Sequence, residues 1–118
     1  MLLFLSTVRI LRFRAPLAVM FDVAADWSDL VGVDVVVNSI DDGTHSLGTL
    51  HGRSLAADFD TAGDVGADLE HLYEHFRIYT PLGFDVIHEG DHVHVEWDVH
   101  RRPSRLAGSR AAPIAPIA

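Results

Sequence analysis

Two short stretches of this chain alternate apolar and polar side chains with a period of two, and that alternation most restricts how it can fold. In Leu55 to Asp60, Leu55, Ala57 and Phe59 fall on one side, and Ala56, Asp58 and Asp60 on the other. In His92 to Trp97, Val93, Val95 and Trp97 share one face, while His92, His94 and Glu96 share the other. Successive side chains of a strand point to opposite faces, so each stretch reads as a strand with one face to bury and one polar face. Something apolar must cover the first face.

Two amphipathic segments can do so. Ala15 to Leu30 carries Pro16 at a first-turn position, and Leu17, Met20, Phe21, Ala24 and Trp27 recur at spacings of three and four, the mark of one helical face. Gly63 to Tyr79 repeats the pattern with Val65, Leu69, Leu72, Tyr73 and Phe76, and stops at Pro81-Leu82-Gly83. His71 and His75 on this helix have the i, i+4 spacing of a helical zinc pair. The residues between them lack the glutamate that helical zinc peptidases place first, so both are read as a solvated face.

Val33 to Ser39 is short and β-branched, as a buried strand should be, and ends in the turn Ile40-Asp41-Asp42-Gly43. Phe84 to His88 and His92 to Trp97, joined by Glu89-Gly90-Asp91, read as a hairpin. The expected fold class is therefore α+β, a small antiparallel sheet of three to four strands with two helices on one face and a site open on the other. Residues 1–14 are expected to form an N-terminal arm or edge strand, 15–100 the domain, and the Pro-, Ala- and Ser-rich residues 101–118 a disordered tail.

The opening MLLFLSTVRILRFR is broken by Arg9, Arg12 and Arg14 with no preceding positive charge, the reverse of a signal peptide, and is too short to span a membrane. All 17 acidic residues lie between Asp22 and Asp98, where Arg53 and Arg77 are the only basic ones. Such an acidic body excludes nucleic acid as the main partner and favours a cationic ligand or a divalent ion. With no cysteine among 118 residues, a metal site would have to be built from histidine and carboxylate. His51, Asp58 and a second imidazole from His92 or His94 make a three-ligand set of the kind catalytic zinc uses, which leaves its fourth position to water. His51 and Asp58 are seven residues apart, roughly 23 Å if extended, so Gly52-Arg53-Ser54 must turn the chain back.

Thr49, His51, Ala56 and Asp58 resemble the S-x-H-x-x-G-x-A-x-D motif of the zinc D-alanyl-D-alanine peptidases, and Glu89, His92 and His94 match their E-x-x-H-x-H motif. That family includes carboxypeptidases, vancomycin-resistance dipeptidases and phage endolysins, and hedgehog-type domains share its metal site. The resemblance spans about Val35 to Asp98. It implies a Zn²⁺-dependent peptidase, here expected to be a monomer, acting on peptidoglycan stem peptides. His51, Asp58 and His94 would hold the metal and His92 would be the active-site histidine. Glu89 and Asp91 compete as general base. His45 resembles an accessory histidine near the metal.

Two positions depart from the family pattern. Thr49 stands for serine and keeps a hydroxyl, whereas Ser54 stands where the family has glycine. Arg53 is the nearest candidate for the arginine that binds the substrate carboxylate, with Arg77 second, so Arg53, His45 and Thr49 are the expected substrate-binding residues. Two other readings are a catalytically inactive metal-binding domain of the same fold, and a hard-cation site at Asp41, Asp42, Asp58 and Asp60. Imidazoles favour zinc over calcium.

Overall fold

The alternating stretch at Leu55 lies at the centre of the molecule. The computed structural model describes residues 1–10, 14–41, 55–64 and 66–97. Its elements, in order, are β1 (Leu2–Phe4), α1 (Ala15–Val31), β2 (Val35–Asp41), β3 (Leu55–Thr61), α2 (Ala67–Tyr79), β4 (Phe84–His88) and β5 (Val93–Trp97). The strands form one five-stranded sheet in the order β1-β2-β3-β5-β4. It is mixed, because β1 pairs parallel to β2 while the other three pairings are antiparallel. The protein is thus α+β, but the expected antiparallel sheet of three to four strands is corrected to five strands of mixed direction. The difference lies in the N-terminal arm, where Leu2–Phe4 lies along Val35–Val37 as an edge strand.

One sheet face carries the core. Val35, Val37, Ala57, Phe59, Val93 and Val95 are all buried there against Leu17, Met20, Ala24 and Trp27 of α1 and Leu69, Leu72 and Phe76 of α2. Phe59 is fully buried, with its ring centroid 4.9 Å from that of Phe76. Burying a side chain of this kind is worth about 1.5–3 kcal/mol. Phe21, half-buried, turns its edge to Phe4 and Phe59 and so joins the arm to the core.

Local chemistry sets the helix ends. The α1 helix stops at Gly32, whose φ of 74° returns its N–H to the Ser28 carbonyl. The α2 helix begins at Ala67 rather than Gly63, because Asp64 Oδ1 accepts the N–H groups of Gly66 and Ala67 and so caps the first turn. His71 is exposed as expected, yet its Nδ1 accepts the Trp27 indole N–H at 3.3 Å. The solvated reading fails for His75, which is half-buried, and that burial lowers its pKa despite the nearby Asp26.

Parity along β2 changes midway. Val37 pairs with Phe59, but Ser39 rather than Asn38 pairs with Asp58, so one extra residue is bulged out. Without it, Ser39 would share the core face with Val37. With it, Ile40 packs against the core and Ser39 stands beside Asp58 on the opposite face.

Candidate metal centre

That opposite face carries a row of directly paired residues, Ser39, Asp58, His94 and Ile87, one from each of β2, β3, β5 and β4. Because Ala57, Phe59, Val93 and Val95 point into the core, Asp58 and His94 must point away from it. Asp58 Oδ1 and His94 Nδ1 are 2.7 Å apart. Each residue's second polar atom is also engaged. Ser39 Oγ donates to Asp58 Oδ2 at 2.8 Å, and His94 Nε2 lies 3.1 Å from Glu96 Oε1.

The hairpin loop brings two more groups. His92 lies just outside β5, not within the strand as expected, yet its Nε2 is 3.8 Å from both Asp58 Oδ1 and Glu89 Oε1. Glu89 Oε1 is also 3.9 Å from His94 Nδ1. Two imidazole nitrogens and two carboxylate oxygens therefore face one another. The turn that arranges them contains Gly90 at φ 95°, and Glu89 N–H donates to the His92 carbonyl across it. A side chain at that φ would be strained. Asp91 stands behind His92, 2.6 Å from Nδ1, with its side chain 85% exposed.

The electrostatics follow from these contacts. The Asp58 hydrogen bond, reinforced by Glu96, outweighs burial and pushes His94 from 6.5 up to about 10, so its ring is an imidazolium at neutral pH when no metal is bound. Burial alone would raise Asp58, but the His94 and Ser39 hydrogen bonds prevail and its pKa lies below 3.8. Burial would likewise lower His92, but the Asp91 hydrogen bond and the charges of Asp58, Asp91 and Glu89 raise it above 6.5.

Asp58, Glu89 and His94 each offer one ligand atom within 4.8 Å of the others, a spacing that could hold a metal ion. Zinc bonds of about 2.0–2.1 Å in tetrahedral geometry put ligand atoms roughly 3.3 Å apart. Asp58 Oδ1 and His94 Nδ1 would thus have to part by roughly 0.6 Å from their 2.7 Å contact. The donor set fits zinc, in that the inward atoms are one imidazole nitrogen and two carboxylate oxygens while the outward atoms of Asp58 and His94 already have partners.

The sequence-predicted residues divide into two groups. The fold brings Asp58, Glu89, His92 and His94 together, and Asp91 lies one contact away. His51, His45, Thr49, Arg53 and the acidic Asp42 fall outside the described residues, as does the predicted tail at 101–118. Asp60, placed in the hard-cation cluster, is joined instead to the Asn38 amide. Arg77 is paired with Glu74 on α2, a helix packed on the other face of the sheet, so it does not belong to the cluster. Glu96 was not singled out from sequence as a site residue. The signal was its place on the polar face of the strand that carries His94.

Beside Asp58 and His94 is a shallow cleft of about 110 Å³ that reaches Ser39 and Ala56. A larger depression of about 550 Å³ lies between the helices, lined by Asp22, Asp26, His75 and Tyr79 among others. It is on the helical side of the sheet, away from the paired imidazoles. Among the described residues no helix is long and apolar enough to cross a membrane. Neither a family model, nor a curated protein, nor a solved structure matches the chain.

Proposed function

We propose that this chain is a zinc peptidase that hydrolyses peptide bonds of peptidoglycan stem peptides, in the manner of the D-alanyl-D-alanine peptidases whose motifs it resembles. The observation that carries this reading is the convergence of Asp58, Glu89, His92 and His94 on one face of the sheet, from segments that are 31 residues apart between Asp58 and Glu89. These are the residues that the two motifs assign to metal and chemistry.

His51 completes the proposed ligand set with Asp58 and His94. Four residues separate His51 from Leu55, a contour of up to roughly 14 Å. From Leu55 to Asp58 along β3 is about 10 Å. Chain length therefore permits His51 to reach Asp58 if residues 51–54 fold back over the open face.

Zinc, when bound there, would lower the pKa of a water to about 7 and polarise the scissile carbonyl. Glu89 is the general base of this proposal, because its Oε1 faces both imidazoles whereas Asp91 is turned to the far side of His92. Glu89 takes the proton of the attacking water and delivers it to the leaving amine, work typically worth about 10² to 10⁴ in rate. Asp91 orients His92. The inward Nε2–H of His92, whose pKa is raised, donates to the carbonyl oxygen as negative charge develops on it. Arg53 is assigned to the substrate carboxylate, and His45 and Thr49 to the approach to the metal.

The test is direct. Purified protein is assayed for bound zinc and for cleavage of muropeptides, with and without a chelator. Zinc at one equivalent with chelator-sensitive cleavage supports the reading. Zinc without cleavage identifies an inactive metal-binding domain of the same type, and the absence of both ends the proposal.

A further inference from the structure

An imidazole can ligate a metal through either nitrogen, and whichever nitrogen carries the proton cannot ligate. Here the ring of His94 is held from two sides. Its Nδ1 faces Asp58 Oδ1 at 2.7 Å and Glu89 Oε1 at 3.9 Å, and its Nε2 faces Glu96 Oε1 at 3.1 Å. Glu96 follows His94 by two residues on β5 and so shares its face. Its partner on β3 is Ala56, a side chain too small to fill the space into which Glu96 leans toward the ring. Its partner on β4 is Asp85, a residue of the same charge, which is an unfavourable neighbour across a ladder. Leaning toward His94 takes the carboxylate away from that repulsion.

We propose that Glu96 is a positioning residue of the metal centre: by accepting the Nε2–H of His94 it fixes the ring so that the Nδ1 lone pair faces Asp58 and Glu89 and is the nitrogen that ligates. The inference rests on the zinc-site reading above and adds to it which nitrogen binds and what holds it. Carboxylates behind ligating histidines both orient the ring and raise its basicity, and their removal typically costs about 10- to 100-fold in metal affinity. Glu96 would touch neither metal nor substrate.

The test uses the full chain and zinc itself as the probe. Zinc affinity is measured by competition with a chromophoric chelator for wild type, Glu96→Ala and Glu96→Gln, and the His94 ring is followed by ¹⁵N NMR in the zinc-loaded proteins. Wild type should show zinc on Nδ1 and a protected proton on Nε2. Glu96→Ala should bind zinc about 10- to 100-fold more weakly and lose the protection of that proton. Glu96→Gln keeps an acceptor of nearly the same shape, and should retain the protected proton and recover part of the affinity even if the alanine variant folds poorly. Zinc on Nε2 of His94 in wild type, or unchanged affinity in a folded alanine variant, overturns the proposal while leaving the zinc site standing. A wild type that takes up no zinc overturns both.

Discussion

Asp58 and His94 stand directly opposite one another on β3 and β5, with Oδ1 and Nδ1 2.7 Å apart on the sheet face turned away from both helices. Without a metal this is a charged pair. With one, the same two atoms must bind the ion instead of each other. The Asp58→Asn variant separates the two states, because the amide keeps the shape of the side chain and removes its charge. His94, at about 10 in the wild type, should then titrate lower by about 1–3 units, the range an adjacent opposite charge typically contributes. Titrating the His94 ring by NMR checks this. An unchanged midpoint would mean that Glu96 alone holds the proton.

The same contact makes the stability of the metal-free protein depend on pH. The folded pKa of His94 is raised from 6.5 to about 10, so its stabilising contribution is complete below about pH 6.5 and is lost as pH rises through about 10. Asp58, whose pKa is depressed below 3.8, contributes above that value and loses its contribution as pH falls through its lower folded pKa. Denaturant midpoints of the zinc-free protein should therefore decline between pH 7 and 10. The decline should be shallower in Asp58→Asn.

Zinc uptake should release a proton. His94 is an imidazolium at neutral pH, and a ligating histidine must be neutral. Calorimetric titration at pH 7.5 in two buffers of different ionisation enthalpy should report about one proton expelled per zinc, and apparent affinity should rise about tenfold per pH unit up to the His94 pKa. A buffer-independent heat would show that zinc does not bind at His94.

Much of this arrangement was legible in the residues themselves. The alternation in Leu55 to Asp60 placed Asp58 opposite the core because one face of that strand had to be apolar, and the structure buries Ala57 and Phe59 accordingly. Helix faces were readable for the same reason, except where a side chain intervened, as Asp64 does by capping α2 four residues later than the apolar pattern begins. The edge strand Leu2–Phe4 was not identifiable as part of the sheet: three apolar residues have no periodicity, and their pairing depends on Val35–Val37, more than thirty positions away. Nor was the bulge at Asn38, since an extra residue changes parity without changing composition. Glu96 carried a weak signal, because its role depends on a neighbour's ring rather than on a motif.

The bulge has a measurable consequence. Deleting Asn38 restores ordinary pairing, and Ser39 would turn to the core while Ile40 turned out of it. Losing the burial of Ile40 and forcing a hydroxyl inward should cost on the order of 2 kcal/mol or more. The deletion should also remove the Ser39 hydrogen bond that holds Asp58 Oδ2. Both unfolding midpoint and zinc affinity should fall, whereas Ser39→Ala should lower zinc affinity with only a small loss of stability, about 1 kcal/mol for one hydrogen bond.

Gly90 links the backbone of the hairpin to the chemistry. Its φ of 95° lets the chain reverse between Glu89 and His92, so that the Glu89 N–H meets the His92 carbonyl and both side chains face the Asp58 and His94 pair. Nothing lies within 4 Å of a Cβ built there, so a substitution would strain the backbone without a collision. Gly90→Val should cost about 1–3 kcal/mol for holding a β-branched residue at positive φ. Part of that cost can be relieved by opening the turn, and opening it moves Glu89 away from the imidazoles. Cleavage should then fall more steeply than zinc content, because Asp58 and His94 sit on strands and keep their places while the base does not. Equal loss of zinc and of cleavage would instead indicate that Glu89 is itself a metal ligand, in which case the proton must be handled by another group.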